Sequence, residues 1–414
     1  MLLRGLIFGL ILSSCASSDK SKGEPPASPS PTKQQTAEAT CELSGKVWEA
    51  DKCITPQEQC SAYRGVFEHG NCIADLKEEA KFRVAYKYLK SQNSLAPFSS
   101  HHPHPIFERG LLSKGTRVCL LGDTGNGSLA QRKIASLLPK NCDQVRHLGD
   151  IIYYMGIQDM HDEKFKERFL DVYQDLGVPM FITIGNHDYY KNPDIWLEVS
   201  KEYPTKFIFP NNYYLDIYAP EGTKGLCFLS LDSTPIHDLK YGDDINKIRN
   251  APRVKEQFEW VRSLKPLLNE RCNYVMSFFH HPYLSVGEGR GDTDSEFFVK
   301  EFMEGLVFPT VDFMVTGHDH FLAWYPRLQK KEMDKEHYIE IPELISGSGG
   351  MLQVKHQMSG RKFSHEFRET GFVQMTLQTD SNDENPAARF TFFRFDGQVL
   401  YQFDKVLKRV PKNL

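Results

Sequence analysis

Five short polar clusters, most of them at the end of an apolar run, hold the chemistry available to this chain. In order they are Gly122-Asp123-Thr124-Gly125, Gly149-Asp150-Ile151-Ile152-Tyr153, Gly185-Asn186-His187-Asp188, His280-His281-Pro282 and Gly317-His318-Asp319-His320. Together they offer carboxylate, phenolate, carboxamide and imidazole groups, a donor set suited to hard and borderline metal ions. Taken singly, a Gly-Asp is an ordinary turn, Asn-His-Asp a helix cap and His280 a core histidine. Five such clusters in succession, each at a strand end, are poorly explained that way. Glycine just before a polar residue lets the backbone turn sharply and a ligand approach closely. In Gly317-His318-Asp319-His320 the two imidazoles stand at i and i+2, which in an extended segment puts them on one side.

The elements that must position these clusters begin near Gly115. Arg117 to Leu121, Gln144 to Leu148 and Pro179 to Ile184 read as strands, with helices over Ser128 to Leu138 and Asp162 to Leu176 between them. That alternation is the βαβ pattern of a parallel sheet, and ligands of such sheets gather at the strands' carboxyl ends. Later strands are read at Asn212 to Tyr218, Gly225 to Leu231, Tyr274 to Phe279, Phe313 to Val315, Ile339 to Ile345, Gly371 to Gln378 and Arg389 to Phe395. Fewer helices interrupt them, so a second and more antiparallel sheet is expected. The fold class is then α/β, a sandwich of two mixed β-sheets flanked by helices, over residues 115–414.

The chain has 414 residues, 40% of them hydrophobic, enough for one large core with satellites. Its 50 basic and 54 acidic side chains leave a formal charge of −4, so no global field favours nucleic acid. Residues 1–14 read as a signal peptide: Arg4, an apolar run too short to span a bilayer as a mature helix, then small residues before Cys15. Leu12-Ser13-Ser14-Cys15 resembles a bacterial lipobox, which implies cleavage before Cys15, lipidation of its thiol and a membrane-anchored, exported protein. Ala16 points to the outer membrane. An ordinary secretory signal is the alternative. Residues 15–40 are a polar tether with too little apolar surface to repay ordering.

Setting Cys15 aside leaves eight cysteines, an even number in a chain bound for an oxidising compartment. Residues 41–73 contain an internal repeat, Cys41 to Cys53 and Cys60 to Cys72, each read as a hairpin closed by its own disulfide, although four cysteines permit other pairings. Residues 74–114 hold a helix, Asp75 to Ser91, and a His-Pro linker containing His101, His102 and His104, read as a surface loop. Cys119, Cys142, Cys227 and Cys272 are read as structural thiols or disulfides.

The ordered clusters resemble those of the calcineurin-like metallophosphoesterases and, within them, the purple acid phosphatases of the small tartrate-resistant type. The wider superfamily has Asp-x-His in its first motif; here Gly125 takes the histidine's place and Tyr153 appears, which marks the purple branch. The resemblance implies Fe(III) on Asp123, Asp150, Tyr153 and His320. It implies a second metal, Fe(II), Zn(II) or Mn(II), on Asp150, Asn186, His280 and His318. It also implies a phosphomonoesterase that works by attack of a metal-bound hydroxide, with an acid optimum. His187 would protonate the leaving group, held by Asp188, while Asn186, His187 and His281 would face substrate. The small mammalian enzymes carry a further histidine where this chain has Gly289; Glu288 and Arg290 are its nearest ionisable neighbours, and Glu288 is a substrate-facing candidate. Pro235 to Pro252 matches a region that overhangs the site. A monomer acting on a small phosphorylated substrate is expected. The alternatives are a phosphodiesterase or nucleotide-processing hydrolase on the same metals, or a surface binding lipoprotein whose phosphatase domain is vestigial.

Overall fold

The strands bury both faces. In Arg117–Leu121, Val118 and Leu120 join one apolar cluster while Cys119 and Leu121 join another. Period-2 alternation of this kind, apolar on both sides, is what a strand inside a layered sandwich requires. The computed structural model describes residues 47–49, 52–54, 65–68, 71–74, 92–98, 105–237, 245–283, 297–329, 338–352 and 365–409. The expected signal peptide, lipidation of Cys15, tether, helix at 75–91, linker histidines, Glu288 and the 238–244 part of the overhanging segment lie outside these residues. So do Cys41 and Cys60, and with them the two expected module disulfides.

The chain divides into two compact units, residues 1–55 and 56–414. The first contains the hairpin Val47–Glu49 with Lys52–Ile54; the second contains the hairpin Gly65–Glu68 with Asn71–Ala74 and the sandwich. In chain order the sandwich strands begin with β1 (Ile106–Glu108), β2 (Arg117–Leu121), β3 (Gln144–Leu148), β4 (Met180–Thr183), β5 (Phe207–Ile208), β6 (Tyr214–Tyr218), β7 (Gly225–Ser230) and β8 (Cys272–Phe278). They continue with β9 (Phe313–Thr316), β10 (Leu322–Tyr325), β11 (Glu343–Ser346), β12 (His365–Phe367), β13 (Gly371–Leu377), β14 (Ala387–Arg394) and β15 (Val399–Val406).

Sheet I has the order β15-β14-β13-β2-β3-β4-β5 and sheet II the order β12-β10-β11-β9-β8-β7-β6-β1. Both are mixed. In sheet I, β2 to β5 run parallel while β13, β14 and β15 are antiparallel neighbours. Sheet II keeps a parallel centre of β7, β8, β9 and β11. The expected antiparallel character of the second sheet is therefore corrected, because the C-terminal antiparallel strands complete the first sheet instead. The expected single strand Ile339 to Ile345 is also two pieces, Tyr338–Ile339 and β11. Between them stands Pro342, which has no N–H to offer a ladder.

Helix Leu129–Asn141, capped by Ser128 Oγ accepting from Gln131 N at 3.2 Å, covers the outer face of sheet I. Pro252–Ser263, Lys265–Arg271 and the wide helical turn Phe297–Val307 cover that of sheet II. Disulfides Cys119–Cys142 and Cys227–Cys272 staple these outer layers. Between the sheets Arg146 of β3 lies 2.7 Å from Asp216 of β6 and 4.0 Å from the Phe181 ring centroid. Burial opposes its charge, but Tyr218 and Asp216 more than offset that and hold the guanidinium protonated. The two sheets are thus tied together below their shared rim.

Candidate metal centre

All five clusters sit just past the carboxyl ends of β2, β3, β4, β8 and β9, where the parallel centres of both sheets open on one rim. The β2–β3 pairing runs on beyond the strands: Asp123 N donates to Gly149 O at 2.9 Å, Thr124 N to Asp150 O at 3.2 Å and Tyr153 N to Gly125 O at 2.9 Å. That continued ladder explains Gly125, since a Cβ there would stand 1.8 Å from Ile151 O. No side chain fits at the position. Asp123, Asp150 and His318 have φ of 58°, 53° and 65°, a left-handed conformation that costs a non-glycine residue on the order of 1–3 kcal/mol and recurs at functional sites.

Tyr153 Oη lies 2.8 Å from Asp123 Oδ1, 3.0 Å from Asp150 Oδ2 and 3.0 Å from His320 Nε2. One hydroxyl proton cannot satisfy both carboxylates, so these oxygens converge with lone pairs in excess, as in a cation's donor set. Beside it, His280 Nε2 lies 3.1 Å from Asn186 Oδ1, 3.1 Å from His318 Nδ1 and 3.2 Å from Asp150 Oδ2. His280 Nδ1, 2.8 Å from Leu148 O, donates to that carbonyl and leaves Nε2 facing the cluster. Asp150 Oδ2 is common to both groups. Burial would raise the Asp150 carboxyl, but His280 and His187 hold it well below the usual range; burial would lower His280, but Asp150 and Asp123 carry it up to about 9. The residues present fit a pair of metal ions sharing one carboxylate.

Residues 116–322 match the family model described as calcineurin-like phosphoesterase, and every donor named above falls within that stretch. The chain belongs to this family. Tartrate-resistant acid phosphatase type 5 of Homo sapiens is 29% identical over 189 residues, 44% of this chain and 56% of that protein. Purple acid phosphatase 3 of Arabidopsis thaliana is 26% identical over 268 residues, 60% of this chain and 70% of that protein. The chain thus spans a little over half the length of the human relative. Among solved structures, GAP50, the anchor in the inner membrane complex of Plasmodium, superposes with a TM-score of 0.56 at 19% identity, covering 72% of this chain and 90% of that one. That likeness is one of fold.

Within this calcineurin-like phosphoesterase the structure brings Asp123, Asp150, Tyr153, Asn186, His280, His318 and His320 into one cluster. His187 stands at its edge, with Nδ1 2.5 Å from Tyr154 O, its amide donating to Asp150 Oδ1 at 2.7 Å, and its ring centroid 4.5 Å from that of Tyr153. Asp188 does not steady that imidazole as the sequence suggested. Its carboxylate accepts from Gly185 N at 2.8 Å and Ile151 N at 3.2 Å, so it braces the second and third loops from behind. Burial and the Asp150 charge push its pKa up to about 8. The His318-Asp319-His320 segment is a tight turn rather than extended. Its two imidazoles consequently serve the two halves of the cluster instead of one side.

His281 is fully buried, with Nδ1 2.9 Å from Ser233 Oγ, its ring stacked on that of His237 at 3.8 Å and tilted against that of His318 at 4.5 Å. One nitrogen each of His280, His281 and His318 lies within 4.8 Å of the others, a second grouping able to meet a metal. Sequence reasoning missed His237, Ser233, His147 and Arg168. Arg168 donates to Tyr153 O at 2.6 Å, and His147 Nε2 lies 2.9 Å from Thr124 Oγ1. Of these only His147, an imidazole inside a buried strand two residues before Gly149, carried a local signal.

Proposed function

We propose that the chain is a binuclear metal-dependent acid phosphatase hydrolysing phosphate monoesters. The observation that carries the reading is Asp150 Oδ2, which lies 3.0 Å from Tyr153 Oη on one side and 3.2 Å from His280 Nε2 on the other. Asp123, Asp150, Tyr153 and His320 would hold Fe(III). Asp150, Asn186, His280 and His318 would hold Fe(II), Zn(II) or Mn(II). Two ions held there would supply an activated water and positive charge for an in-line phosphoryl displacement. His187 donates from Nδ1 to Tyr154 O, which turns Nε2 toward the cluster, 3.9 Å from Asp150 Oδ2. From that atom it gives a proton to the departing oxygen, while Arg168 and the Gly125 carbonyl fix the Tyr153 backbone.

The tyrosinate ligand is tested by colour. The purified, oxidised protein is expected to show a tyrosinate-to-iron charge-transfer band in the visible, and Tyr153→Phe to lose it; a colourless, active enzyme holding only zinc or manganese would remove the ferric assignment. Substrate class is tested by turnover of a phosphate monoester against a diester. Preference for the diester would select the wider-pocket phosphodiesterase reading, and inactivity at full metal occupancy the vestigial one.

We also propose export as a lipoprotein anchored through Cys15. Disulfides Cys119–Cys142 and Cys227–Cys272 support an oxidising destination. Fatty-acid labelling that survives in Cys15→Ser would overturn the anchor. Among the described residues no helix is long and apolar enough to cross a membrane.

A further inference from the structure

The stretch that matches the family begins at residue 116, yet a segment well before it touches the loop that carries His187. Residues 92–98, which the sequence gave no role beyond that of linker, form a strap held at two places. Toward its carboxyl end the hold is by packing and charge. Leu95 and Phe98 pack on the outer core of sheet II, and the Phe98 ring lies 5.7 Å from that of Tyr213. Arg253, the second residue of helix Pro252–Ser263, donates to Ala96 O at 3.0 Å and to Pro97 O at 3.2 Å, and its guanidinium stands 4.6 Å from the Phe98 ring centroid. The same buried guanidinium pairs with Asp194 at 2.8 Å, which ties the strap to the chain beyond the His187 loop.

At the other end of the strap the contact is a bridge. Asn93 Nδ2 donates to Tyr189 O at 2.8 Å and also to Lys191 O. These carbonyls stand at the end of the single helical turn Asp188–Tyr190, where the last C=O groups have no partner inside the helix. Between them in the chain is Tyr190, whose ring centroid is 5.5 Å from that of His187. Covering the core would need only Leu95 and Phe98. An amide that grips the carbonyls on both sides of one residue fixes that residue's backbone, and with it the ring that packs on the His187 imidazole.

We propose that Asn93 is a positioning residue for the site: through Tyr190 it holds His187 where the imidazole can deliver its proton. The proposal rests on the reading of His187 as donor to the departing oxygen. It makes a segment outside the family-matched stretch part of the working site.

The test is steady-state turnover of p-nitrophenyl phosphate and of glycerol 2-phosphate by the metal-loaded full chain, as wild type, Asn93→Ala and His187→Ala. Nitrophenolate departs unaided, whereas an alkoxide must be protonated, so a misplaced imidazole is felt on the second ester. In Asn93→Ala, kcat on glycerol 2-phosphate should fall by about tenfold and on the nitrophenyl ester by about twofold at most, with KM and metal content unchanged. Equal losses on the two esters would mark a role in stability alone. That result, no loss, or loss of metal overturns the proposal. If Asn93→Ala melts well below wild type, Asn93→Ser, which keeps a donor too short to bridge, is judged by the same criteria. His187→Ala should show the same selective loss. If it does not, the role given to His187 fails and the proposal with it; a selective loss there with none in Asn93→Ala sinks the strap alone. A wild type that turns over neither ester overturns the phosphatase reading and everything resting on it.

Discussion

At the scale of single residues the centre depends on how closely backbone can approach the Asp150 carboxylate. A Cβ at Gly185 would lie 2.4 Å from Asp150 Oδ1 and 2.5 Å from its amide nitrogen. Gly185→Ala must therefore displace the shared carboxylate or the loop beneath it. Displaced supporting contacts typically cost about 10–100-fold in metal affinity, and that loss is expected in metal content after dialysis. Full retention of metal by the alanine variant would mean that the Asp150 carboxylate does not hold metal. The identity of the donors was legible in the chain because each follows an apolar run. Asp188 was misread because its neighbour in sequence, His187, is not what its carboxylate touches; two bare amides from separate loops claim it instead.

At the scale of elements, Asp232 shows how the loops after β4 and β7 hold each other. Its carboxylate accepts from Tyr189 Oη at 2.5 Å and Thr234 N at 3.2 Å, while Gln257 brackets its backbone. Burial pushes its pKa up to about 6, although Tyr189 and Arg253 pull the other way. The folded state then holds a proton that the unfolded state has released between about pH 4 and 6, so this residue's contribution to stability falls as pH rises through that window and is flat above it. Asp232→Asn removes the titration. Melting temperatures of wild type relative to the variant should decline from pH 4.5 to 6.5, and parallel curves would refute the assignment. The strands leading to the five clusters were readable, but β12 and β15 were not, because half-exposed edge strands bury too few residues to show a pattern. Val399–Val406 does alternate in exposure, yet the alternation gains meaning only once β14 lies beside it.

At the scale of the molecule the donor cluster joins the two sheets: Asp123, Asp150 and Asn186 follow strands of sheet I, and His280 and His318 follow strands of sheet II. Metal bound there adds a link between layers that also meet through the apolar interlayer, the Arg146–Asp216 pair and hydrogen bonds such as Tyr214 Oη to Ile182 O. Ions present at about a thousandfold over their dissociation constant stabilise the native state by roughly 4 kcal/mol, which for a domain of this size corresponds to about 10 °C. Chelation should lower the melting temperature by that amount, reversibly on adding metal back. An unchanged melt after verified metal removal would show that the cluster does not cross-link the sheets.

The sequence alone determined the donor inventory, its order and its place at strand ends, since residue type and the period of apolar runs are local properties. It also pointed to Tyr153 in place of a histidine at position 125. Only the tertiary structure decided that a single Asp150 oxygen meets both halves and that His318 to His320 form a turn rather than an extended segment. It alone revealed that His237 and His281 stack beside them. Those features arise where two sheets meet, and the distance between residues far apart in the chain is set by packing rather than by spacing.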